Sequence, residues 1–263
     1  MRITYRSNDN KSYWTKRWDD IPADSAMANL NAYPLKYAEM TISGNSGRIL
    51  EAGCGAGRVL RYYHELGFDI LGIDFIEVAI EKLRNADSSL NVEVADITNL
   101  KFPDGEFKYV LAFGLYHNLE ENLDVAIKET YRILETGGMV CASFRADNVQ
   151  TRLTDWLASR RSKADSLEDG PQLFHKMNLR RDEFKRFFSE NGFEVQYMCP
   201  VENFPLLYKF SIFRHRNHKI FDENLARKEG YRLSRIGKLL QGSLMRWFPN
   251  QFCNIYVLIG RKK

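Results

Sequence analysis

The sequence predicts an α/β fold in which strands and helices alternate around a sheet covered on both faces. Two observations carry that expectation. The stretch Ile49–Arg58, ILEAGCGAGR, runs from an apolar pair through an acid into a glycine-studded turn, and Val59–Leu66 follows at helical spacing. A short apolar segment ending in an acid, Asp69–Asp74, comes next, and beyond it strand-like and helix-like segments keep alternating as far as Phe144. With 263 residues and an apolar fraction of 44%, the chain fits one large domain with additions.

Taken in order, Met1–Asn10 is polar and charged, so no signal peptide is expected. Lys11–Asp20, KSYWTKRWDD, puts Tyr13, Trp14, Arg17 and Trp18 on successive turns of a helix, either as cover for the sheet edge or as a lid over a ligand. Asp20–Pro34 contains two prolines and reads as a loop, and Leu35–Ile42 is a short helix stopped by the turn Ser43–Gly47. Next comes the strand, turn and helix of Ile49–Leu66. Gly53, Gly55 and Gly57 permit backbone angles or close contacts that a Cβ would forbid. The helix that starts near Ala56 turns free N–H groups toward the same spot, which favours a small, partly anionic ligand. A dinucleotide site would read G-x-G-x-x-G, whereas here position 58 is Arg and an acid, Glu51, stands two residues before the first glycine.

The helix Ile76–Ala86, the strand Asn91–Ala95, the turn Phe102–Glu106 and the strand Tyr109–Phe113 continue the alternation. A helix at Asp124–Leu134, a loop at Glu135–Met139 and a strand at Val140–Phe144 close it. Arg145–Leu173 is charged and irregular, with a helix at Thr151–Ser159. Leu179–Gly192 is a helix with a glycine stop, Phe193–Met198 a strand, and Asn250–Gly260 a final strand that arrives after a long insertion.

The stretch from Glu51 to Gly57 closely resembles motif I of the class I S-adenosylmethionine-dependent methyltransferases, (D/E)-x-G-x-G-x-G. The likeness extends over about Lys11–Phe144. Asp74, 17 residues beyond Gly57, matches the acid that takes the ribose hydroxyls, and the unit Asp96–Ile97 matches the adenine contact. The resemblance implies a three-layer, Rossmann-like, seven-stranded mixed sheet with S-adenosylmethionine as cofactor. It further implies cofactor contacts from Tyr13, Arg17, Glu51, Gly53, Gly55, Gly57, Asp74, Phe75, Asp96, Ile97 and Phe113. His117 follows the strand beside which the transferable methyl group sits in this family, and is the first candidate for chemistry; a hydroxyl acceptor needing a base could also use His175, His215 or His218.

The implied organisation is an N-terminal helical lid segment, 1–44, a methyltransferase core, 45–202 with 250–263, and a basic insertion, 203–249. The insertion carries ten Lys or Arg against three Asp or Glu. Leu233, Ile236, Leu240, Leu244 and Trp247 repeat in it at helical spacing. It reads as a packed cap, as a substrate lid whose Arg214, Arg216, Arg232 and Arg235 meet an anionic acceptor, or as a membrane-surface helix.

The expected reaction is in-line methyl transfer to a small-molecule or sugar acceptor, anionic or lipid-linked, at oxygen in preference to nitrogen. A non-catalytic S-adenosylmethionine-binding protein and a nicotinamide-dependent Rossmann oxidoreductase are the alternatives. The lack of a (D/N)-P-P-(Y/F) motif argues against a DNA base as substrate, and the modest net charge of +4 does not by itself argue for nucleic acid. RNA stays open through the basic insertion, although no RNA-binding module is recognisable. The four scattered cysteines, without metal-ligand spacing, predict no metal and a reducing, cytoplasmic setting.

Overall fold

In a computed structural model, all residues are described except 7, 8, 24, 45, 166–172 and 221–229. Nine strands and nine helices are described: β1 Arg2–Arg6, α1 Asn10–Asp20, α2 Leu35–Thr41, β2 Ile49–Ala52, α3 Arg58–Glu65, β3 Ile70–Asp74, α4 Glu77–Ala86, β4 Val92–Val94 and β5 Phe107–Ala112. There follow α5 Leu123–Ile133, β6 Leu134–Arg145, α6 Val149–Asp165, β7 Leu173–Asn178, α7 Arg181–Glu190, β8 Phe193–Val201, α8 Arg235–Trp247, α9 Pro249–Phe252 and β9 Ile255–Lys262.

Seven strands form one mixed sheet in the order β4-β3-β2-β5-β6-β9-β8. The pairs from β4 to β6 are parallel, and β9 runs antiparallel between β6 and β8. The alternation of side chains along a strand explains the two cores. Leu50, Val110 and Val140 point to one face, where Ile127 of α5 and Phe184 and Phe188 of α7 cover them. Their neighbours Ile49, Tyr109 and Cys141 point to the other, against Leu35 of α2, Leu60 of α3 and Leu83 of α4. Apolar runs without alternation, such as Ile70–Ile73, are what a sheet buried on both faces requires.

Three local expectations change. The first five or six residues are not a plain polar lead: β1 pairs antiparallel with β7, from Arg2 opposite Asn178 to Arg6 opposite Leu173, in a separate two-stranded sheet. Charged Arg2 is held there by Asp147 Oδ1 at 2.7 Å and Asp155 Oδ2 at 2.9 Å. The helix placed at Thr151–Ser159 extends from Val149 to Asp165. The loop expected at Glu135–Met139 is part of β6, because Phe107 pairs with Leu134 and Tyr109 with Met139, and an irregularity between them absorbs the extra residues.

Candidate cofactor and acceptor site

The glycine turn leaves the C-terminal end of β2, between β3 and β5, and is tied down by β3. The N–H groups of Gly53 and Cys54 both donate to the Ile73 carbonyl, at 2.8 and 2.9 Å. Gly55 N–H donates to Asp74 Oδ2 at 2.8 Å, and Ile76 N–H donates to Asp74 Oδ1 at 2.9 Å. One carboxylate at the end of β3 therefore fixes the glycine turn and starts α4. Burial raises the Asp74 carboxyl above its ordinary range, opposed by those backbone donors.

The turn glycines do different work. At Gly55, with φ of +52°, an added Cβ would lie 2.4 Å from the Trp18 ring, so the indole of α1 rests directly on the turn. At Gly57, with φ of +69°, a Cβ would lie 2.5 Å from Leu83 Cδ2. That glycine lets α3 start close against α4, and no ligand is needed to explain it.

Glu51 lies buried beneath the turn, its Oε2 accepting from Leu60 N–H at 2.7 Å in the first turn of α3. Burial pushes its carboxyl up to about 8, against the pull of the Leu60 amide and the nearby Arg58 guanidinium. The acid positions the helix that the motif feeds.

Above these groups lies a cavity of about 600 Å³. Its walls include Glu51, Gly53 and Arg58, the acids Asp74 and Asp96, and Phe75, Ile97 and Phe113, with Trp14 and Trp18 closing it from α1. Asp96 Oδ1 accepts from both the amide and the hydroxyl of Thr98, at 2.9 and 2.8 Å, which fixes its rotamer. The face of α1 that lines the cavity is Asn10, Lys11, Trp14 and Trp18. The sequence points to Tyr13 and Arg17 instead, but Tyr13 turns toward the Arg6 guanidinium, 3.7 Å from its ring centroid, and toward His175. A helix recruited by β1 presents a different face from one lying free over the sheet.

His117 lines the same cavity, edge-on to Phe144, with its Nδ1 buried and without a hydrogen-bond partner. Burial, reinforced by Arg145, Lys176 and His175, pushes its imidazolium down to about 3. The other histidines separate cleanly. His175 belongs to β7 and is also pushed down to about 3, chiefly by burial. His218 is buried in the insertion against the Tyr208 hydroxyl at 2.9 Å, and His215 Nδ1 accepts from Asn217 N–H; neither lines the cavity.

A second cavity, of about 530 Å³, is built from Asn31, Lys36, Tyr37, the end of β8 from Pro200 to Asn203, and Gly230, Tyr231 and Met245 of the insertion. Two residues, Tyr33 and Arg58, line both it and the first cavity. The Tyr33 ring stands edge-on to Phe113, and its hydroxyl lies 2.8 Å from Ser143 Oγ, which accepts from Gly114 N–H at 2.8 Å. Sequence patterning gave no sign of Tyr33, because its role comes from β6 packing against the loop before α2. The Arg214 that the sequence offers to an acceptor donates instead to the Tyr208, Lys209 and Lys219 carbonyls and binds the insertion together.

Residues 50–142 match the model of a family described as a methyltransferase domain. That segment, which holds the glycine turn, Asp74 and Asp96, is similar to the S-adenosylmethionine-dependent methyltransferases. Malonyl-[acyl-carrier protein] O-methyltransferase of Enterobacter lignolyticus is 27% identical over 112 residues, 42% of this chain and 44% of that protein. An eEF1A lysine and N-terminal methyltransferase of Bos taurus is 29% identical over 116 residues, 39% of this chain and 17% of that protein. The chain thus spans less than half the length of either relative. A solved S-adenosylmethionine-dependent methyltransferase from Methanosarcina mazei shares the fold, with a TM-score of 0.58 at 17% identity over 89% of this chain and 99% of that one.

The family cofactor is S-adenosylmethionine, and the cavity fits it. Its volume lies within the roughly 300–1,000 Å³ usual for small-ligand sites. The turn at Gly53 leaves backbone open to the cavity, acids at the ends of β3 and β4 suit hydroxyl and amino donors, and apolar Phe75, Ile76 and Ile97 stand beside them.

Proposed function

We propose that the protein methylates an oxygen of a small-molecule or sugar acceptor that carries a carboxylate or phosphate, held in the second cavity. The observation that carries this reading is that Tyr33 and Arg58 line both cavities, so that an acceptor in the second would lie beside a cofactor in the first. In this reading Asp74 takes the ribose hydroxyls, Asp96 and the Ile97 amide take the adenine, and Gly53 with Arg58 takes the methionine end. Bound there, S-adenosylmethionine supplies an electrophilic methyl group on a sulfonium. The residues around it contribute orientation and exclusion of water, since holding reactants in line removes much of the entropic barrier.

Charge supports an anionic acceptor. Two cations, Lys36 and Arg58, line the second cavity against one acid, Glu202. A protonated amine would meet like charges there. His117 stays neutral down to low pH and is a weak base, so it suits hydrogen bonding to an acceptor oxygen better than proton removal. An oxygen that is already ionised needs no base. The two curated relatives point in different directions, since one name specifies an O-methyltransferase and the other a lysine and N-terminal methyltransferase.

Incubation with methyl-labelled cofactor and a cell extract, followed by separation of metabolites from protein, tests the reading. Label should appear in an acidic small molecule or sugar as a methyl ester or ether, and Asp74→Ala should abolish it. Label confined to protein side chains would overturn the acceptor class. Failure of the wild-type protein to bind S-adenosylhomocysteine would overturn the cofactor assignment.

A further inference from the structure

The insertion presents a helix with its apolar face turned outward. Residues of α8 at helical spacing, Ile236, Leu239, Leu240 and Trp247, are 67%, 72%, 43% and 74% exposed. The face that packs on the protein carries Gly237 and Gln241, both buried. Gly237 makes that packing close, since a Cβ there would sit 2.6 Å from the Phe213 carbonyl oxygen. The usual arrangement of an amphipathic surface helix, apolar side in, is reversed. Phe210 and Ile212, on the turns that contact α8, add exposed apolar surface, and so does Phe248 at its end.

Contiguous exposed apolar surface of this kind marks a contact site. The charge around it selects the partner. Among the described residues of the insertion and its flank, 203–220 and 230–252, there are eight Lys or Arg and no Asp or Glu. The three acids of the insertion, Asp222, Glu223 and Glu229, lie outside the described residues. Lys209, Arg216, Lys219, Arg235, Lys238 and Arg246 are all exposed.

We infer that this face docks on the surface of a bilayer containing anionic lipid. Apolar side chains enter the boundary between headgroups and acyl chains, and the cations beside them meet the headgroup phosphates. The helix lies on the membrane: no described helix is long and apolar enough to cross one. Met245, one turn beyond the buried Gln241, lines the second cavity from the packed side of this same helix and leaves the apolar face free to dock. The inference stands on the exposed face and its charge, and does not depend on methyl transfer.

Flotation of the full chain with phosphatidylcholine vesicles, with and without phosphatidylglycerol, tests it. Binding should appear only with phosphatidylglycerol, weaken as salt rises, and fall at least tenfold in an Ile236→Ser, Trp247→Ser double variant whose melting temperature matches wild type. A Lys238→Glu, Arg246→Glu variant should lose binding to the same vesicles while keeping the apolar face. Absence of flotation with anionic vesicles would sink the inference, and so would equal flotation by wild type and both variants. Concentration-dependent dimerisation that disappears in the Ser variant, without vesicle binding, would instead assign the face to a second copy of the chain.

Discussion

At the scale of single residues, Glu51 shows how a sequence motif can serve the fold before it serves a ligand. Its carboxyl receives the Leu60 amide, is buried, and takes up a proton far above the ordinary carboxyl value of 4.5, at about 8. The linkage follows from the direction of that shift. The folded state binds a proton that the unfolded state has already released, so stability declines as pH rises from about 4.5 to about 8 and this contribution levels off above that. Glu51→Gln keeps an acceptor oxygen for Leu60 and removes the titration. Thermal unfolding across that range should show a falling melting temperature for wild type and a flatter profile for the variant. Parallel profiles would assign the slope to other groups.

Among the elements, α1 walls the site from the outside, held to α4 by Lys82 Nζ donating to the Trp18 and Asp19 carbonyls. None of its residues is buried, yet Trp14 and Trp18 stack at 5.4 Å and wall the cofactor cavity. Trp18→Ala should weaken S-adenosylhomocysteine binding about tenfold by calorimetry, because an aromatic face contributes on the order of 1–3 kcal/mol when it stacks on a base. The melting temperature of the free protein should move little. Truncating residues 1–18 is a poorer test than sequence alone suggests, since it also removes β1 and the Arg2 contacts to Asp147 and Asp155. The same segment shows what was legible beforehand. The strand, glycine turn and helix at Ile49–Leu66 and the acids at 74 and 96 are local patterns, and local patterns declare themselves. That β1 would be a strand was hidden because its pairing partner lies some 170 residues away and its sequence, RITYR, has no neighbouring turn. Tyr33 was hidden for the same reason, through a contact to Ser143. The apolar period of α8 was readable, but not its outward orientation, which depends on Gly237 fitting against Phe213.

Seen as a whole molecule, the insertion is an attachment to an otherwise complete sheet. It leaves at the end of β8 and returns at the start of β9, where Val201 and Ile255 are already paired. Replacing 203–249 by a short turn should therefore preserve S-adenosylhomocysteine affinity within a fewfold while abolishing turnover of any acceptor, because Gly230, Tyr231 and Met245 leave the second cavity. Loss of cofactor binding along with turnover would show that the insertion supports the first cavity as well.

The position of β9 carries a consequence in time. The strand Ile255–Lys262 is made after both β6 and β8 and lies between them in the sheet. On a growing chain β6 and β8 cannot be joined until those residues are available, so both keep an open edge able to pair with another chain. β1 waits in a similar way for β7. Synthesis thus runs almost to residue 262 before the β6-β9-β8 end of the sheet is paired, and until then β6 presents an edge that another chain can take.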